Sequence, residues 1–183
     1  MFKLSFLRGD ATVEHSHPPT FKTAVTSSGT RRLVVGVPAG DRAVIQTLAR
    51  ELPEPLYLLY ILHTPRGEGE AGRYQSPELN AAELSDFIAL FGAFLSGDGR
   101  HDFWIYSRES DTTLVWDRHN MLYAYGPLEA FTQALRALGF HEGDPQIPFP
   151  HLHHYRKEFD ADAAALLSHW NWVYSPLRPE DEQ

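Results

Sequence analysis

His151-Leu152-His153-His154 is the densest group of imidazoles in the chain, with Glu158 shortly after it and His169 further along. Neutral imidazoles ligate zinc, iron, nickel or copper. In an extended segment the side chains of His151 and His153 project to the same side, as two ligands of one ion must. These five residues are therefore the candidate ligands of a divalent transition metal. Water bound to such an ion can become a nucleophile at neutral pH. A second constellation is Asp117-Arg118-His119-Asn120. There Asp117 could orient His119, His119 could move a proton near neutral pH, and Arg118 could hold an anion. The same four residues are also ordinary hairpin-turn chemistry, because Asp and Asn bond to nearby backbone and tolerate unusual dihedrals. Asp117 and His119 are the candidate catalytic pair, and Arg118 and Asn120 are candidate binding residues. Trp170, Trp172 and Tyr174 form an aromatic run that suits either a binding surface or the docking of a C-terminal helix.

Other signals carry less. Gly143, His151, His153 and Glu158 resemble the metal motif of the cupin family in residue type. Their gaps are longer than that pattern, and no regular barrel strands bracket them, so no family is assigned. Gly67, Gly69 and Gly72 match a dinucleotide-loop spacing, but no helix opens at Gly72, and Glu68 and Glu70 would repel phosphate. The stretch reads as a mobile acidic loop. There is no Gly-x-Ser-x-Gly elbow, no His-Glu-x-x-His helix and no cysteine, which removes thiolate sites and disulfides.

The elements that must position these residues are legible in part. Phe2, Leu4 and Phe6 alternate as in a strand. Residues 33–37 read as a strand, Asp41 as the N-cap of a helix to about Leu52, and 56–62 as a strand covered on both faces. Thr64 to Gln75 reads as loop. Asn80 and Glu83 form a capping box for a second helix. Residues 102–125 read as a three-strand antiparallel meander, followed by a helix closed by Gly139. Its strands carry apolar residues on both alternation faces, so either helices cover both faces or one aromatic face stays open. A last helix spans about 159–169. The expectation is an α/β (α+β) fold: a mixed sheet with about four helices in a two- or three-layer sandwich. Residues 1–175 form one domain, followed by an acidic tail at 176–183 expected to fray.

The net charge of −8 repels a phosphate backbone or an anionic membrane and excludes general nucleic-acid binding as the expected function. No apolar run approaches the roughly 20 residues of a membrane helix. Together with the missing cysteines, this makes a soluble cytoplasmic protein the expectation. Two functions follow from different residues. One is an acidic binding or interaction module, regulatory or inhibitor-like, that steers towards a basic protein. The other is a metal-assisted hydrolase or related metalloenzyme built on the C-terminal histidines.

Overall fold

A computed structural model describes residues 2–181. In chain order it contains β1 (Leu4–Arg8), β2 (Ala11–Glu14), β3 (Thr20–Val25), β4 (Arg31–Gly36), α1 (Arg42–Ala49), β5 (Leu56–Leu62), β6 (Gly72–Gln75), α2 (Ala81–Gly97), β7 (His101–Ser107), β8 (Thr112–Trp116), β9 (Met121–Tyr125), α3 (Leu128–Ala137), β10 (His141–Glu142), β11 (His151–His153), α4 (Asp160–His169) and β12 (Val173–Ser175). The expected α+β class is present, with a large mixed sheet and a second, three-stranded antiparallel one.

Local chemistry sets the longer elements. Asp41 starts α1 by accepting the Ala43 N–H at 2.9 Å. Asn80 and Glu83 close the reciprocal capping box of α2, each side chain accepting the other's backbone N–H at 2.9 Å. After α3 the chain reverses at Gly139, whose φ of +86° favours a residue without Cβ. The meander forms as expected, with Phe103 opposite Trp116 and Leu114 opposite Ala124.

The large sheet runs β10-β3-β4-β9-β8-β7-β5-β6-β12, antiparallel except for the β10–β3 pair. On one face Leu58, Tyr60, Phe103, Ile105, Leu114, Trp116, Leu122 and Ala124 join the buried residues of all four helices in one hydrophobic cluster. Each large side chain buried there stabilises the fold by about 1.5–3 kcal/mol. The other face carries Tyr57, Leu59, Trp104, Tyr106, Tyr123 and Tyr125, all half-buried. The helices gather on one side, so the sandwich has two layers. This also corrects the expectation that β5 is covered on both faces.

Residues 72–75, expected as loop, form β6. A strand this short and polar takes its pairing from β5 rather than from its own alternation. The glycine-rich stretch before it is clamped. The Glu68 carboxylate is buried and accepts from Arg100 at 3.0 Å, and Arg66 Nε donates to Asp160 at 3.0 Å. The chain beyond 176 is tied to β6, because the buried Asp181 carboxylate accepts from Arg73 at 2.6 Å and from the Arg178 N–H at 2.8 Å. Residues 182–183 of the expected tail lie outside the described residues. No helix among the described residues is long and apolar enough to cross a membrane.

Candidate metal centre

The Asp117–Asn120 turn links β8 to β9. Asn120 sits at φ +57° and closes the turn through its N–H to the Asp117 carbonyl at 3.1 Å. One Asp117 oxygen accepts the N–H groups of His119 and Met121, each at 2.8 Å. The other accepts from His119 Nδ1 at 2.9 Å. The turn chemistry and the orientation of the histidine are thus one arrangement. Asn120 is structural: its side chain accepts from Trp116 Nε1 at 3.1 Å and donates to the Ser96 carbonyl at 3.1 Å.

The small sheet carries the other half of the site to this turn. β1 pairs on one side with β2 and on the other with β11, in the register Leu4–His153 and Phe6–His151. Just before β1, the buried Lys3 Nζ donates to the Asp117 carbonyl at 2.9 Å and lies 5.0 Å from the Trp116 ring centre. Burial pushes Lys3 down to about 8, while the charges of Asp117, Asp102 and Asp98 act to hold it up. β1 is therefore the bridge between the β8–β9 turn and β11.

A buried ionic knot fixes the chain just after β11. Arg100, fully buried, donates Nε and Nη2 to the two oxygens of Asp98 at 2.9 and 3.0 Å. It also reaches Asp160 at 3.0 Å and the Arg156 carbonyl at 2.9 Å. Asp98 in turn accepts the Arg156 N–H at 2.7 Å.

These constraints bring His119, His151 and His153 together. One ring nitrogen from each lies within 4.8 Å of the others, and all three residues are half-buried. A tetrahedral zinc with bonds of about 2.0–2.1 Å needs nitrogens about 3.3–3.4 Å apart, so the rings would have to close in for all three to bind one ion. Two of the rings have their tautomers set. The Asp117 carboxylate and the Pro148 carbonyl can only accept, so His119 Nδ1 and His151 Nδ1 carry hydrogens, the second at 2.9 Å from its partner. In the neutral form of each ring Nε2 is then the lone-pair donor, the form in which metal-binding histidines are held by their outer partners. His153 Nδ1 is buried with no hydrogen-bond partner. Burial, and then the charges of His119, Arg118 and His151, push His153 down to about 3, so this ring is neutral at pH 7, the state a metal ligand requires. Burial acts to raise the Asp117 carboxyl, but the hydrogen bond and charge of His119 and the two backbone N–H groups outweigh it and hold it below the ordinary carboxylate range.

Of the remaining sequence candidates, His154, Glu158, His169 and the aromatic run separate from this centre, while Asp117 and Arg118 stay beside it. His154 follows β11 with its backbone bonded to Lys3 and Gly99, and its Nε2 is buried without a partner. Glu158 points to solvent, 4.0 Å from Arg156. His169 packs on Phe87, Phe91 and Trp170. Trp170 stacks on Phe87 at 4.6 Å, Trp172 Nε1 donates to the Leu166 carbonyl at 3.1 Å, and the Tyr174 hydroxyl donates to the Ala71 carbonyl at 3.2 Å. The Arg118 N–H bonds Asp102 at 2.8 Å. Asp117 has both oxygens engaged and orients His119.

Several further residues surround the turn. The carboxylate of Asp102 also accepts from His63 Nε2 at 2.9 Å. His17 Nε2 donates to the His119 carbonyl at 2.8 Å, and His15 Nε2 lies 3.3 Å from His17 Nδ1. Lys3 alternates with Phe2 and Leu4, a pattern that places it on the polar side of a strand, so the sequence carried no signal for its burial. Comparison with protein-family models, curated proteins and solved structures returns no match for this chain.

Proposed function

We propose that this protein binds a divalent transition metal, zinc being the best fit, through His119, His151 and His153, and that the bound ion serves metal-assisted hydrolysis. The observation that carries the reading is the convergence of three imidazole nitrogens from two distant segments, two of them already oriented by acceptor-only partners. Three protein ligands leave one position of a tetrahedral ion for water, the arrangement of catalytic rather than structural zinc. The three residues are half-buried rather than sealed in the core. The protein's own contribution is to aim the imidazoles, to keep His153 neutral by burial, and to hold the ion beside a turn that Asp117 makes rigid.

Interaction with a basic protein, the other function the sequence suggests, draws on the acidic net charge and on the aromatic face that the helices leave open, neither of which brings a defined set of side chains together as the histidine centre does. The test is elemental analysis of protein exposed to zinc and freed of excess by gel filtration. One zinc per chain is expected, and none in the His151→Ala/His153→Ala variant. Zinc absent from the wild-type protein, or retained by the variant, removes the reading.

A further inference from the structure

We propose that the helix-free face of the large sheet holds a binding site for a small planar anion, an aromatic ring bearing a carboxylate or phosphate group. The site is a depression of about 520 Å³ between β5, β7 and the C-terminal segment, within the range of small-molecule sites. Its floor follows from register. Tyr57 lies opposite Tyr106, and Leu59 opposite Trp104 in the next row. Cross-strand neighbours on one face are about 4.5–5.5 Å apart at Cβ, so these rings form a continuous apolar platform. The Trp104 indole N–H is buried and has no hydrogen-bond partner, so Trp104 offers the depression its ring rather than its donor, and the N–H serves as a reporter beside the site.

The rim supplies the charge. Arg73, Arg108 and Arg178 line the depression, and no acidic residue does, although the chain carries 24 acidic and 16 basic residues. Arg73 lies 5.8 Å from the Trp104 ring centre and is held by Asp181, while Arg178 lies 4.0 Å from Glu180. The nearby acids are engaged at the edge: Glu78 accepts from the Tyr57 hydroxyl at 2.8 Å and Asp111 from that of Tyr106 at 3.2 Å. Guanidinium groups recognise planar carboxylates and phosphates with paired hydrogen bonds, and aromatic platforms take a ring. A local concentration of arginine on an acidic protein opposes a basic partner at this face. The site stands independently of the histidine centre.

The test is calorimetry and NMR on the metal-free 183-residue chain and on its His151→Ala variant, which separates this site from the metal centre. The probes are indole-3-carboxylate and adenosine 5′-monophosphate, with adenosine and inorganic phosphate as controls. Saturable binding of at least one ring-bearing anion is expected with Kd below about 1 mM, and whichever binds distinguishes carboxylate from phosphate. The shifts should centre on the Trp104 indole N–H. Adenosine, phosphate alone and the exposed-site variant Arg108→Ala should each be at least about tenfold weaker. Failure of both ring-bearing probes to saturate by about 10 mM, or unchanged affinity in Arg108→Ala, overturns the proposal.

Discussion

Replacing Asp117 with Asn should weaken zinc binding without dismantling the turn. In the wild-type protein one carboxylate oxygen accepts the N–H groups of His119 and Met121 at 2.8 Å, and the other accepts from His119 Nδ1 at 2.9 Å. An asparagine in the same pose keeps a carbonyl oxygen for the two backbone donors. Its amide nitrogen then faces His119 Nδ1, and an NH₂ cannot accept. His119 must either move its hydrogen to Nε2, which removes the lone pair the ion needs, or give up the contact that aims its ring. Loss of such an outer partner costs about 10–100-fold in metal affinity, which is about 1.4–2.8 kcal/mol. The loss of the carboxylate charge near a divalent ion acts in the same direction. The assay is competition with a chromophoric zinc chelator at pH 7.5, with circular dichroism to check that the variant is folded. His119→Ala, which removes a ligand, should lose more than Asp117→Asn. A folded Asp117→Asn variant that binds zinc within about twofold of wild type would refute the reasoning.

Zinc at about 100 times its Kd should stabilise the protein by about 2.7 kcal/mol, raising Tm by about 5–10 °C for a domain of this size. The shift should vanish in His153→Ala. Acid should destabilise the protein before its carboxylates titrate. His153 and His15 are held down to about 3 and about 4, chiefly by burial. Below about pH 6.5 the unfolded chain takes up protons at these sites while the native state does not. Stability is therefore complete above that pH and falls towards pH 4, and urea midpoints measured across that window should fall with it. A flat profile would show that these rings are not buried neutral. Asp98→Ala leaves the buried Arg100 without its bidentate partner and should cost about 3–5 kcal/mol in urea denaturation. It should also weaken zinc binding, since Asp98 holds the backbone of Arg156 after β11. A loss under about 1 kcal/mol would show that water replaces the carboxylate there.

By itself, the sequence determined those elements whose cause is local. The caps at Asp41 and Asn80, the helical spacing of α2, and the turns of the 102–125 meander depend on residues a few positions apart, and each formed where expected. The common orientation of His151 and His153 is likewise a period-two property of any strand. The short strands β6, β10, β11 and β12 were not legible, because strands this short depend on their partners for pairing. Only the tertiary structure chose among the histidines. His119 reaches His151 and His153 because β1 inserts beside β11 and Lys3 grips the Asp117 turn. His169 packs on aromatic side chains away from the centre, and Glu158 faces solvent. The helix-free aromatic face was a tertiary outcome too, because the alternation of β7 allows a second layer of helices and the chain packs all four on one side. A metal centre needs atoms converging within a few ångströms, and that depends on long-range pairing, which composition and spacing do not encode.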